Sequence, residues 1–232
     1  ADLYENSGQA TAWKSLVARL SKQVQSAQAD GERAFLRTRS MYANSYGQSR
    51  SALADAVQAL NMAPPGEESQ RAAQRAVYCC LAMGKPADGE PYARTALEAA
   101  GERSDLRVRS LRALGTVLTW MGQGEEAVSV HEATLKLCRE KGFFARIPIA
   151  YHDLGDAYRM SGNGIAAEEA YAMALHNADE LALGHTQALV KVKQVMCALT
   201  DKRTDGILEH LKHLAPEALE AGLGLAVPFC KL

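Results

Sequence analysis

The residues of this sequence that could do chemistry are its histidines, cysteines and paired carboxylates, and none falls at a spacing that chemistry requires. His210 and His213 stand at i and i+3, which would put two imidazoles on one helical face. No carboxylate or cysteine follows at a third-ligand spacing, so both read as exposed side chains of an amphipathic helix. His131, His152, His176 and His185 have no nucleophile near them in sequence, and no triad can be assembled from the chain order. Five cysteines, Cys79, Cys80, Cys138, Cys197 and Cys230, make an odd number without a Cys-x-x-Cys pair. Cys79 and Cys80 would point about 100° apart on a helix. They read as single packed thiols of a reducing cytoplasm rather than as a disulfide framework, a redox couple or a soft-metal pair. Glu125-Glu126 and Glu168-Glu169 open helices, where negative charge suits the N-terminal end of the dipole. No Gly-x-x-x-x-Gly-Lys-Ser/Thr loop occurs. The sequence predicts no catalytic residue, no metal site and no cofactor.

The elements that must position any site are helical hairpins. Between residues 146 and 181, Tyr151, Leu154, Gly155 and Tyr158 fall at i, i+3, i+4 and i+7, one stripe of a helix. Ser161-Gly162-Asn163-Gly164 breaks the pattern, because glycine tolerates the positive φ of a helix end. Ala167, Ala170, Tyr171, Ala174 and Leu175 then resume helical spacing. Small residues at Gly155, Ala167 and Ala174 would let the two helices approach closely, with tyrosines filling the gaps around them.

The same pattern recurs along the chain. Turn glycines Gly47, Gly84, Gly122 and Gly162 are spaced 37, 38 and 40 residues apart. Five residues after them stand Ala52, Gly89, Ala127 and Ala167, all small; thirteen after them stand Leu60, Leu97, Leu135 and Leu175. The spacing predicts helix pairs 32–46 with 51–62, 67–83 with 88–100, 104–121 with 125–141, the 146–181 hairpin, and 185–199 with 204–214. Partial helices are expected at 9–29 and 216–232. Pro91 is expected in the first turn of its helix, where a missing N–H is harmless.

Composition agrees. Of 232 residues, 47% are hydrophobic, enough for a substantial core, and no stretch alternates like a strand. A net charge of -1 gives no global case for nucleic acid or an anionic membrane, and no apolar run approaches the roughly 20 residues that cross a bilayer. The chain opens Ala-Asp-Leu-Tyr-Glu without an initiator methionine or a visible signal peptide, and reads as a fragment or a processed chain.

The order tyrosine, leucine-glycine, tyrosine, alanine, tyrosine, alanine in the 146–181 hairpin resembles the tetratricopeptide repeat, with Tyr151 where that family usually has tryptophan. The proline usual at the end of the second helix is absent; Asp179 lies near its place. The period exceeds the family's usual one of about 34 residues, similar to the looser tetratricopeptide-like arrays of bacterial signalling proteins. The resemblance implies an all-α, right-handed superhelical solenoid of stacked antiparallel helix pairs: one domain over 1–232, with about five repeats (32–62, 67–100, 104–141, 146–181, 185–214) and partial ends. It also implies that the first helix of each pair lines a concave groove. The residues so placed are Arg37, Met41, Asn44, Arg71, Gln74, Tyr78, Arg109, Arg112, Thr116, Thr119, His152, Asp156 and Arg159. Five are arginines and only Asp156 is acidic, so this is a local basic stripe. Guanidiniums there would grip an acidic or carboxylate-bearing segment, with Met41 and Tyr78 supplying apolar contact. The alternative is that the arginines only solvate exposed helix faces.

The function expected on this reading is that of a non-catalytic protein- or peptide-binding scaffold or sensor, cytoplasmic and part of a larger bacterial signalling or regulatory protein. Two other classes compete with it. One is a small-ligand receptor or enzyme with His152, Asp156 and Arg159 inside the superhelix. The other is a structural role, in which terminal apolar faces (Leu16 and Leu20, Leu223 and Val227) stack on other copies.

Overall fold

The computed structural model describes residues 15, 18 and 19, 29–45 and 47–200. The expected helices at 204–214 and 216–232, most of 9–29, and with them His210, His213 and Cys230, lie outside the described residues. Residues 1–117 and 118–232 form two compact units. The described elements are α1 (Ala29–Ser45), α2 (Ser49–Met62), α3 (Glu67–Ala82), α4 (Pro86–Ala100), α5 (Ser104–Trp120), α6 (Gly124–Glu140), a 3-10 turn (Phe144–Arg146), α7 (Ile147–Met160), α8 (Gly164–Glu180) and α9 (Gly184–Thr200). The division between the units falls inside α5. No strand occurs among the described residues, and none of their helices is long and apolar enough to cross a membrane.

One turn, built by the same bonds each time, makes the hairpins. Gly47, Gly84, Gly122 and Gly162 all have φ between 68° and 82°. The next residue returns its N–H to a carbonyl five positions back: Gln48 to Ala43, Lys85 to Cys80, Gln123 to Leu118 and Asn163 to Tyr158, at 2.8 to 3.0 Å. This is the Schellman pattern, and it closes the first helix while aiming the chain into the second. The second helices therefore start within about two residues of the glycine, earlier than the apolar spacing alone suggests. One consequence corrects an expectation: α4 begins at Pro86, so Pro91 lies inside the helix beyond its first turn and has no N–H to give the Ala87 carbonyl. Its ring is exposed, on the side away from the packed alanines.

In the first unit the core is largely alanine. Ala52, Ala56 and Ala59 on α2, Ala72, Ala73 and Ala76 on α3, and Ala93, Ala96 and Ala100 on α4 are all buried. A cluster of Leu36, Ala59 and Ala72 and another of Ala43, Ala52 and Cys79 join the hairpins. Gly89 packs so closely that an added Cβ would stand 3.2 Å from the Cβ of Cys80. Several buried polar groups are matched: Ser40 Oγ donates to the Ala52 carbonyl at 2.6 Å, Ser110 Oγ to that of Ala96 at 2.9 Å, and Gln70 Nε2 to Ser110 Oγ at 3.1 Å. Burial pushes both neighbouring thiols up, Cys80 to about 11, so at neutral pH these are packing groups and not thiolates.

The second unit centres on Ala167, Tyr171, Ala174, Val190 and Cys197, with Tyr151, Tyr158 and Leu175 against them. Gly155 and Tyr171 are its closest fit, since a Cβ on Gly155 would lie 2.5 Å from the Tyr171 ring. Gly124 meets Ser161 equally tightly, which brings the start of α6 against the turn that ends α7. Asn163 caps α8 by accepting the Ala166 N–H at 3.2 Å, the ordinary work of asparagine at a helix start.

Candidate functional site

The first helices of the repeats within each unit touch one another through polar side chains. In the first unit Arg37 of α1 pairs with Glu68 of α3. Glu67 of α3 takes Arg71 from its own helix and Arg103, in the loop before α5, at 2.7 Å. The Arg103 hydrogen bond, followed by the charge of Arg71, holds the Glu67 carboxyl below the usual range. Gln74 Nε2 donates to the Arg109 carbonyl at 3.2 Å and to the Tyr78 hydroxyl at 3.4 Å, so three of the expected residues meet. Met41 stands 40% exposed. Thr116 donates its hydroxyl to the Arg112 carbonyl at 2.8 Å. Asn44 Oδ1 and Arg109 Nε are buried with no protein group in hydrogen-bonding reach. The basic stripe expected from sequence is thus met in part by the chain's own carboxylates, Glu67 and Glu68, which stand one turn before the stripe on α3.

In the second unit Thr119 and His152, expected on the open side, are buried. His152, Asp156 and Arg159 do come together, as their i, i+4, i+7 spacing on α7 requires. Two residues that the sequence reading did not include complete the group. Tyr171 of α8 donates its hydroxyl to Asp156 Oδ1 at 2.7 Å, and Lys193 of α9 donates Nζ to Oδ2 at 2.8 Å. His152 Nε2 lies 4.0 Å from Oδ2 and Arg159 Nε 4.0 Å from Oδ1, both beyond hydrogen-bond length. Both nitrogens are buried without a protein hydrogen-bond partner. The other imidazole nitrogen, Nδ1, is 3.0 Å from Asp153 Oδ1.

Burial acts first on Asp156 and pushes its carboxyl up, but attraction to His152 and Lys193 and the hydrogen bonds from Lys193 and Tyr171 outweigh it, so the net direction is down. The carboxylate stays ionised in a mostly buried place. Burial and the Asp156 charge drive the Tyr171 phenol up, while Arg159 works the other way, and the hydroxyl remains a donor. The one signal that could have found Lys193 is the repeat itself. Asp156 and Lys193 are 37 residues apart, Glu67 and Arg103 36, and Gln74 and Arg109 35: in each case about one period. Among the described residues no group of three or more histidine, cysteine, aspartate or glutamate side chains could hold a metal.

No family model matches the sequence, and no curated protein matches it. Solved structures do. A Rap protein complexed with competence and sporulation factor superposes with a TM-score of 0.80 at 16% identity, over 94% of this chain and 62% of that one. The tetratricopeptide-like repeats of a putative kinesin light chain from Podosopora anserina give 0.61 at 12% identity, over 82% and 95% of the two chains. A signal transduction ATPase with a tetratricopeptide repeat sensor from Pyrococcus horikoshii gives 0.60 at 14%, over 87% of this chain and 33% of that one. The chain therefore spans less than two thirds of the Rap protein's length. At these identities the likeness is one of fold, and the fold is the all-α, tetratricopeptide-like helical repeat that the residue pattern resembles.

Proposed function

We propose that this chain is a non-catalytic, tetratricopeptide-like module that binds a protein or peptide segment, the sensor or scaffold arm of a larger bacterial signalling protein of the cytoplasm. The observation that carries this reading is on the first-helix faces. Asn44, Arg109 and Arg159, which the sequence pattern assigns to those faces, each keep a buried side-chain atom without a protein hydrogen-bond partner, as do Arg33, Gln70 and Arg75 on the same helices. Folded chains satisfy nearly all such atoms, and each one left open costs about 1 to 3 kcal/mol. Turned toward an extended or helical segment laid along the first helices of either unit, these side chains would find the N–H and C=O groups that offset this cost. The neighbouring ion pairs, Arg37 with Glu68 and Arg103 with Glu67, join α1 to α3 and α3 to the loop before α5 beneath it in the first unit. Of the structural neighbours, the Rap protein is complexed with a factor and the ATPase carries its repeats as a sensor, which fits this use of the fold.

The test is capture of partners from a lysate of the source organism, on immobilised chain at low and at high salt, beside the double variant Arg109→Glu, Arg112→Glu. A partner retained by the wild type at low salt, and lost both at high salt and on the double variant, is the expected result. Recovery of nothing but copies of the chain would replace this reading with one of structural stacking.

A further inference from the structure

The outer face of α8 is built differently from that of α6. α8 buries Ala167, Ala170, Tyr171, Ala174 and Ala178, and turns the opposite side to solvent. There Ile165, Glu169, Ala172, Met173, His176 and Glu180 are all exposed, Ile165 at 77% and Met173 at 41%. At about 100° of rotation and 1.5 Å of rise per residue they span about 100° of the circumference, one stripe along about 22 Å of helix. One repeat earlier, and equally exposed, α6 carries Glu125, Ser129, Glu132, Ala133, Lys136 and Glu140 in the same register. A face meant only for water is polar, as on α6. On α8 an isoleucine and a methionine stand where α6 has Glu125 and Ala133, and covering them would take apolar surface out of water.

The order of the stripe identifies what covers it. Its six positions are symmetrical about the midpoint between Ala172 and Met173, lying one half, three and a half and seven and a half residues to either side. Two copies of α8 packed antiparallel across a two-fold axis through that midpoint therefore bring every member of the stripe against another member. Ala172 receives Met173 of the second copy, small against large. Glu169 meets His176 of the second copy, and an imidazole has an N–H for a carboxylate in either protonation state. Ile165 covers the aliphatic stem of Glu180, whose carboxylate lies 3.4 Å from His176 of its own helix. The α6 stripe fails under the same operation, because Glu125 would face Glu140 with like charges opposed.

We propose that the outer face of α8 is a self-association surface, and that the chain forms an antiparallel, two-fold dimer through it. The face belongs to a second helix, so the dimer does not use the first-helix faces assigned to a partner segment and stands or falls apart from that reading. One helix pair of this length is small among interfaces, and the dimer is weak and reversible, with a Kd of about 10 to 100 µM.

The experiment is sedimentation equilibrium of the full 232-residue chain, from about 5 to about 500 µM to bracket that Kd. Wild type passes from monomer to dimer over this range and goes no further, because a two-fold contact closes on itself. Met173→Glu, which sets carboxylates beside the axis, weakens the dimer about tenfold or more. Glu169→Lys sets a cation against the imidazole and His176→Glu sets a carboxylate against Glu169, each twice per dimer, and each alone also weakens association about tenfold. An equimolar mixture of these two variants regains the wild-type affinity, since the introduced lysine of one faces the introduced glutamate of the other. Ser129→Lys, at the α6 counterpart of Glu169, leaves the dimer unchanged. All these positions are exposed, and circular dichroism establishes that each variant is folded. A wild type that stays monomeric throughout, or a dimer that folded Met173→Glu leaves intact, overturns the proposal. So does a mixture of the two charge variants that associates no better than either alone.

Discussion

Glu67 in the first unit and Asp156 in the second have the same job, since each takes a cation from the next repeat, Arg103 just before α5 and Lys193 on α9. Their surroundings differ. Glu67 sits on the surface between Arg71 and Arg103, where water competes for every bond. Asp156 sits mostly buried between Tyr171 and Lys193, where burial works against its charge and only the neighbouring groups keep it ionised. A bridge in water is replaceable, whereas a bridge out of water commits every group around it.

The comparison can be broken most directly by removing one cation from each bridge. Lys193→Met leaves the Asp156 charge without its ion-pair partner in a mostly buried place and should destabilise the second unit by about 3 kcal/mol. Faster hydrogen exchange across α7 to α9 would measure it. Arg103→Met, the counterpart in the first unit, should leave exchange across α3 and α5 unchanged. Equal effects from the two would mean that burial is not what separates them.

Next in size is Gly155→Ala. Its methyl group would fall 2.5 Å from the Tyr171 ring, and the ring has to move, taking its hydroxyl from Asp156. A loss of about 2 kcal/mol is expected from such overpacking, read from urea unfolding followed by circular dichroism. A rise in the Asp156 carboxyl titration, followed by carbon NMR, should accompany it because one hydrogen bond to the charged form is lost.

Acid gives a smaller and directional effect. The folded Asp156 carboxyl titrates below its ordinary value near 3.8. The stability it contributes is therefore complete above that value and is lost as pH falls through the lowered folded one. Thermal melts of wild type below about pH 4 should decline more steeply than those of Asp156→Asn, and parallel curves would remove Asp156 as the source.

The smallest change sharpens the backbone side of the comparison. Ala182 has φ of 52°, the one non-glycine residue with positive φ among those described, at the loop position where Gly142 stands in the preceding repeat. Ala182→Gly should raise stability by about 0.5 to 1 kcal/mol, visible as a higher melting temperature, because glycine adopts this conformation without strain.

Much of the fold was legible in single residues. Gly47, Gly84, Gly122 and Gly162 mark the hairpin turns because a positive φ is a property of the residue itself, and the four turns form the same bonds. The small residues five positions later, Ala52, Gly89, Ala127 and Ala167, are all buried, because the turn delivers that position onto the preceding helix. Legibility ended where contacts depend on a helix two elements away. The meeting of His152, Asp156 and Arg159 follows from helical spacing, but Lys193 and Tyr171 do not: the sequence offers many cations and tyrosines within one period of Asp156. Which of them reaches it depends on how α8 and α9 lie against α7. That is decided by close packing, in which a glycine at 155 admits the Tyr171 ring and the ring carries its hydroxyl to the carboxylate. Sequence alone determined the repeat, its turns and its buried small residues, because these are local and steric. Tertiary structure decided which charges are buried, which are paired and which donors are left over, because the dielectric and the partners of a side chain come from every element packed around it.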